Sequence, residues 1–367
     1  MKLLRNFPIE TYVLLIPAVI FLIYFGMMAI SCYFTFSAVC RLGFLNASLM
    51  NIVRQVGIFA STFIILLAFV IFLVIRWLFF IKPPKKDIYY FFRSLIFVFG
   101  MLFVLCTAMI LSVQLLFNFA LPAKIANISL ALMRLDHWIF GVYPSIFLNN
   151  LIHNNFISKI IYSSYLNTVL YFMLGVVLAV FSSQLAFRKL VLSFFISFAI
   201  GLPVWFILPA IAPSSMFQDN ILHMEIPQDI SYEINHVNLT EYVKENLKKL
   251  HTFWIDENEV SFAVSTFPSM HAAWGIILAI IIMEFSKYSK IVMLPWLFFE
   301  LVGAVYSFQH YAVDILAGLI IAIMTLLIVN WLLKIEKKYF VDKYKWFLCL
   351  DIMKSNFRKI FLKINDS

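Results

Sequence analysis

Runs of about 20 largely apolar residues recur along the whole chain, and no other feature restricts its fold so tightly. "AVDILAGLIIAIMTLLIVNWLL" (Ala312–Leu333) is one of them. A helix needs about 20 such residues to cross a bilayer, and a spanning helix satisfies its own backbone N–H and C=O groups where no water can. That measure gives eight candidate spans: Tyr12–Phe34, Val56–Phe80, Ser94–Phe119, Ile160–Phe181, Leu190–Ile211, His271–Phe285, Ile291–Tyr306 and Ala312–Leu333. Of the 367 residues 63% are hydrophobic against 13% charged, a balance that no soluble protein with one core and one surface needs. The expected fold is an all-α integral membrane protein of about eight transmembrane helices. The first span lacks a small-residue cleavage site and reads as an anchor that stays.

The net charge of +9 is compatible with nucleic acid, but its placement points to the membrane and to no nucleic-acid partner. Twenty of the 28 Lys and Arg fall on one side of the predicted spans. They lie before the first span, at the end of the second (Arg76) and between it and the third, between the fourth and fifth and the sixth and seventh, and in the tail after Leu333. The remaining eight are Arg41, Arg54, Lys124, Arg134, Lys159, Lys244, Lys248 and Lys249. The positive-inside rule puts both termini in the cytoplasm. Cys32, Cys40, Cys106 and Cys349 sit in or beside apolar stretches without metal-ligand spacing, so they read as packing residues.

No repeat or linker divides the chain. Residues 1–93 read as a two-helix N-terminal addition, 94–333 as a six-helix membrane core, and 334–367 as a basic cytoplasmic tail lying against anionic lipid. Within the core, Leu121–Asn155 is half-polar and reads as an interfacial helix or loop. Pro213–Val260 carries nine Asp or Glu against three Lys and reads as a large outer loop. Asn238-Leu239-Thr240 in that loop fits a glycosylation acceptor, a triplet that also arises by chance.

Two polar stretches interrupt the apolar pattern where chemistry could sit. In "STFPSMHAAWG" (Ser265–Gly275), Pro268 is expected at or near the first turn of the sixth span, where its missing N–H costs nothing. The free N–H groups that follow, Met270's among them, make an anion site to which Ser269 adds a hydroxyl. His271 brings a group that changes protonation near neutral pH. In "YSFQHYAVDILAG" (Tyr306–Gly318), His310 and Asp314 are four residues apart and so share a helix face. A carboxylate bonded to one ring nitrogen fixes the tautomer and leaves the other nitrogen a good nucleophile. An Asp at the mouth of a span is costly without such a task. The sixth and seventh spans make one crossing each way, so both histidines arrive at the same outer face. A single interfacial histidine is ordinarily an amphipathic residue at the water boundary; the conjunction of helix start, two histidines and an Asp is what points to catalysis.

Pro268-Ser269-Met270-His271 followed by His310-Tyr311-Ala312-Val313-Asp314 resembles the second and third signature motifs of the type 2 phosphatidic acid phosphatase superfamily. The likeness is strongest to its inositol phosphorylceramide synthase branch. "LDHWIFG" (Leu135–Gly141) and "LPAIAP" (Leu208–Pro213) add weaker likenesses. The resemblance implies a six-helix core and a metal-independent reaction without cofactor. In it His310 attacks phosphorus, Asp314 orients it, and His271 protonates the leaving oxygen and then activates the acceptor.

This chain departs from the superfamily's phosphatases in lacking Lys-x6-Arg-Pro, and Gly303-Ala304 stand where Ser-Arg would. Met270 replaces the usual Gly. Arg134 is the remaining candidate cation for phosphate, and an arginine reaching lipid head groups is its plainer reading. Fewer cations suit a phosphodiester, with one negative charge, over a phosphomonoester. The expected activity is therefore transfer of a phosphate-containing head group from a phospholipid or lipid-phosphate donor to a lipid or alcohol acceptor. Hydrolysis of a lipid phosphate, with water as acceptor, is the alternative. A transporter would ask for charges or broken helices at mid-membrane, and Gly201-Leu202-Pro203 has no ionisable neighbour. The expected site faces the periplasm or lumen, in a bacterial inner membrane or a secretory-pathway membrane.

Overall fold

The structure is a computed structural model, and it describes residues 8–11, 75, 84–98, 100, 122–217, 227–256, 259–260, 266–285, 287–339, 347–352 and 355. The predicted spans Tyr12–Phe34 and, apart from residue 75, Val56–Phe80 lie outside the described residues, as does most of Ser94–Phe119. What is described is almost entirely helical. In chain order come α1 (Pro122–Phe140), α2 (Pro144–Leu151), α3 (Asn155–Leu166), α4 (Thr168–Ser182), α5 (Gln184–Ile207), α6 (Pro213–Phe217), α7 (Gln228–Asn235) and α8 (Glu241–Trp254). A two-residue antiparallel pair, Ile255–Asp256 with Glu259–Val260, precedes α9 (Met270–Phe285), α10 (Lys290–Tyr306) and α11 (Ala312–Tyr339). Two of these helices, α5 and α11, are long and apolar enough to cross a membrane.

The element bounds differ from the sequence expectations for local reasons. The predicted fourth span is broken at Asn167 into α3 and α4. The fifth begins six residues early, at Gln184, and stops at Ile207, short of Pro209. Pro209 cannot donate to the helix, and it biases the residue before it away from helix. The eighth runs on to Tyr339, so the start of the supposed tail, through Glu336, is a continuation of α11. The acidic segment 213–260 is built largely of helices. Ile230 of α7 and Val243 and Leu247 of α8 are buried in one cluster with Ile146, Ile161, Tyr162 and Tyr306. An amphipathic helix that can bury a leucine and a valine gains about 1.5–3 kcal/mol for each, which an extended polar loop forgoes.

The chain divides into two compact units. One comprises residues 1–112, 173–196 and 327–367. Within it Arg188 is clasped by two carboxylates. Its Nε and Nη2 donate to Glu10 at 2.5 and 2.9 Å, and Nη2 also donates to Glu336 at 2.6 Å. The guanidinium stacks over Phe347, 4.9 Å from the ring centroid. Glu10 is fully buried, and a buried carboxylate needs such a partner. Cys349, the one cysteine among the described residues, is a buried free thiol bonded to the Ser94 hydroxyl.

The other unit comprises residues 113–172 and 197–326. Its tightest helix contacts are made at glycines. Gly303 of α10 lies so close to the Ile161 carbonyl of α3 that a Cβ would overlap it. A Cβ on Gly318 of α11 would come 2.5 Å from the Ser269 carbonyl and 3.1 Å from the Ala272 Cβ at the start of α9. Gly318→Ala should therefore force α9 and α11 apart at a cost of about 1–3 kcal/mol. Thermal unfolding of the purified protein should show a lower Tm for Gly318→Ala than for Gly100→Ala, where the added methyl meets nothing within 4 Å among the described residues. Equal effects at the two positions would rule out the close approach.

Candidate active site

The start of α9 and the start of α11 carry the two signature stretches, and a small set of local bonds fixes both. Helix α9 begins at Met270, two residues after the proline, so Pro268 precedes the helix and Ser269 is its cap. Ser269 Oγ accepts from the Ala272 N–H at 3.2 Å, and the Ser269 carbonyl accepts from Ala273 at 3.1 Å. This is the ordinary way a serine satisfies an open helix end. The turn before it is held by α5 and the segment that follows. Trp205 Nε1 donates to the Pro268 carbonyl at 3.1 Å, and the Thr266 hydroxyl donates to the Ala210 carbonyl at 2.9 Å. "LPAIAP" is thus a brace: besides Thr266 it engages α1, where the Ser129 hydroxyl accepts from the Ile211 N–H at 3.1 Å.

His310 stands in the tight turn between α10 and α11. Helix α10 ends with the N–H groups of Gln309 and His310 both donating to the Ala304 carbonyl, at 3.2 and 3.1 Å. Phe308 takes a left-handed conformation (φ 57°), which for a bulky residue costs of the order of 1–2 kcal/mol. Burial of its ring and a bond from the Ser214 N–H to its carbonyl (2.9 Å) offset that strain.

The two turns meet. The Ser269 N–H donates to the Asp314 carbonyl at 3.1 Å. The Asp314 carboxylate accepts from the Tyr311 N–H at 3.0 Å and lies 3.3 Å from His310 Nδ1. On the other side of the ring, Nε2 lies 3.3 Å from Ser269 Oγ. With Nδ1 protonated toward the carboxylate, Nε2 carries the lone pair and the serine hydroxyl rests on it. The His271 ring is half-buried and lies 5.7 Å from that of His310 between centroids. The arrangement sets one buried imidazole, held by a carboxylate on one nitrogen and a hydroxyl on the other, beside a second that is partly open to its surroundings. The N–H groups of Met270 and His271, left over at the start of α9, have no partner among the described residues, as an anion-binding helix end requires. The Met270 side chain itself is buried against Gly201 of α5.

His271, Ser269, Met270, His310 and Asp314 are therefore brought together. Arg134 is not: it is exposed on α1, and no hydrogen bond or ion pair joins it to either histidine among the described residues.

A family model, that of the PAP2 superfamily, matches residues 130–328, more than half of the chain and inclusive of Arg134, Ser269, Met270, His271, His310 and Asp314. The chain belongs to the PAP2 superfamily. No curated protein and no solved structure matches it. Superfamily members are phosphatases and phosphotransferases that act on lipid phosphates, in keeping with the two described helices that are long and apolar enough to cross a membrane.

Two acidic residues of the PAP2 region carry little signal in the sequence. Asp136, inside "LDHWIFG", is buried and accepts from the Ala312 and Val313 N–H groups at 2.9 and 2.8 Å. It thereby caps α11 from α1. Burial pushes its carboxyl up to about 6, and the two N–H bonds pull the other way. An acid shortly before a tryptophan and a glycine was the only available clue. Glu300, inside the predicted seventh span, is fully buried against Gly275 of α9, and among the described residues neither of its carboxyl oxygens has a hydrogen-bond partner. Periodicity marks it only as one polar residue on an apolar helix.

Asp136→Ala should leave two N–H groups unpaired at the start of α11 and loosen the helix that carries Asp314. The expected result is at least a tenfold loss of turnover in protein that still purifies as a folded species, with Asp136→Asn less affected because its amide oxygen can still accept one bond. Unchanged turnover in both variants would mean that the cap does not position the site.

Proposed function

We propose that this chain is an integral-membrane lipid phosphotransferase of inositol phosphorylceramide synthase-like type, moving a phosphate-containing head group between lipids through a phosphohistidine intermediate. The observation that carries this reading is the continuous chain Asp314, His310, Ser269, with the His271 ring 5.7 Å from that of His310 and no cation in contact with either histidine among the described residues. In the first half-reaction Nε2 of His310 attacks phosphorus, the bond from phosphorus to the donor's oxygen breaks, and His271 gives that oxygen a proton. In the second, His271 takes the proton of the acceptor hydroxyl, which attacks the phosphohistidine and frees His310. Asp314 holds the ring and balances the charge that develops on it. The Ser269 hydroxyl turns from Nε2 to the phosphoryl oxygens, joined there by the Met270 N–H. Reaction of this kind is mostly positioning and charge stabilisation. Among the described residues no three His, Cys, Asp or Glu side chains converge as metal ligands do, and the mechanism asks for none.

In the same proposal residues 94–333 form the six-helix core of an eight-span chain, 1–93 an N-terminal addition, and both termini are cytoplasmic. The site then opens on the periplasmic or lumenal face. Single cysteines at Ser231 and Lys337 should label from opposite sides, Ser231 from outside. Labelling of Lys337→Cys by an impermeant reagent in sealed vesicles would overturn this orientation.

The chemistry is tested with purified protein, radiolabelled phospholipids and candidate acceptors, separating lipid products from free phosphate. Transfer to lipid should dominate, survive chelator, and be inhibited by vanadate, which mimics five-coordinate phosphorus. Free phosphate from a monoester lipid as the main product would assign hydrolysis. Acid-quenched labelling divides the roles: His310→Ala should trap no phospho-enzyme, whereas His271→Ala should accumulate it from a donor with a good leaving group. Label on His310→Ala and none on His271→Ala would reverse the two histidines. Asp314→Asn should fold and lose most of the rate, because the amide favours the wrong tautomer.

A further inference from the structure

A phosphoryl group held between His310 and His271 meets a third ring. Tyr165 of α3 lies 5.5 Å from the His271 ring and 6.0 Å from the His310 ring, centroid to centroid, so the three rings form a triangle with sides of 5.5, 6.0 and 5.7 Å. The tyrosine is half-buried, and among the described residues its hydroxyl has no hydrogen-bond partner. A phenolic O–H without a partner in the chain can donate to a group bound beside it.

The neighbouring helix explains how the tyrosine reaches this place. A Cβ on Gly303 would come 3.1 Å from the Tyr165 Cβ and would overlap the Ile161 carbonyl one turn earlier on α3. Ala304 beside it is fully buried. Gly303 and Ala304 are the two positions at which Ser-Arg is expected from the resemblance. The close approach that lets α3 lay Tyr165 against both histidines leaves no room for a serine side chain at 303, and an arginine at 304 would have to replace a fully buried alanine.

We propose that Tyr165 is a catalytic residue: its hydroxyl donates to a non-bridging oxygen of the phosphoryl group being transferred, in place of a cation. This rests on the phosphohistidine reading above. The tyrosine keeps its proton throughout. As His310 Nε2 bonds to phosphorus and the donor's oxygen leaves with the proton from His271, negative charge concentrates on the non-bridging oxygens, and a fixed donor there favours the transition state over the ground state. A neutral donor matches a phosphodiester, with its single charge, better than a monoester approaching two. It therefore biases the site toward donors whose phosphate is already esterified twice.

The test is Tyr165→Phe, which keeps the ring and its packing and removes only the hydroxyl. The turnover of a phosphodiester lipid donor, and the rate of phospho-enzyme formation from it, should each fall about 10²-fold, the usual size for loss of one such donor, with KM little changed. A merely structural role for the ring predicts wild-type rates in this variant, and that result overturns the proposal. A second measurement remains informative if the variant is partly unstable. A donor with sulfur replacing one non-bridging oxygen, tested as separate stereoisomers, should slow the wild type strongly for one isomer, because sulfur accepts hydrogen bonds poorly. The same isomer should slow Tyr165→Phe at least fivefold less. Equal slowing of both proteins would show that the hydroxyl does not touch that oxygen and would also overturn the proposal. Failure of the underlying reading looks different: the wild type itself would then trap no phospho-enzyme from any phospholipid.

Discussion

A single backbone contact joins the two halves of the candidate site: the Ser269 N–H donates to the carbonyl of Asp314. It forms only because Gly318, one turn further along α11, has no side chain to meet the Ser269 carbonyl. Helices α9 and α11 can then touch at their first turns. Everything chemical hangs on this approach. It brings the hydroxyl that caps α9 within 3.3 Å of the imidazole that precedes α11, and the carboxylate that holds that imidazole belongs to the same turn.

Both helices enter the site by their N-termini, and each is capped by an oxygen that has a second task. Ser269 closes α9 and rests on Nε2 of His310. Asp136 closes α11 from α1 and so fixes the turn on which Asp314 rides. Open helix ends are where backbone N–H groups need partners, and anions are favoured there. With both ends directed at one place, the remaining N–H groups of Met270 and His271 add donors without adding charge. That economy suits a site that no Lys or Arg contacts among the described residues, and in the proposed reaction Tyr165 supplies a further neutral donor.

Much of this was legible before any fold was known. Apolar runs of 15 or more residues located α9 and α10 to within one residue and the start of α11 at Ala312, because a helix in an apolar setting is bounded by the first polar or turn-forming positions; the end of α11, at Tyr339, lies six residues past the expected Leu333. The same measure misjudged the fourth and fifth predicted spans, where Asn167 and Pro209 interrupt helices inside apolar sequence. The acidic segment 213–260 was hardest to read. Its charges suggested a loop, whereas the burial of Ile230, Val243 and Leu247 depends on partners far along the chain, Ile146, Ile161 and Tyr162 among them, which local composition cannot reveal.

Sequence spacing put His310 and Asp314 within reach of each other, although His310 stands in the turn before α11, so the turn and not a shared helix face brings its ring to the carboxylate. The sequence also marked Ser269 and His271 as a helix start, since capping is a local matter of side chain and backbone. Which long-range partners these groups acquire is settled by packing between helices. Asp136 meets α11 across 176 residues of chain, Tyr165 meets both histidines from another helix, and Arg134 meets neither of them among the described residues. Those outcomes depend on how closely helices approach at Gly303 and Gly318, and that distance is set by packing between surfaces far apart in the chain, which periodicity within one helix does not encode.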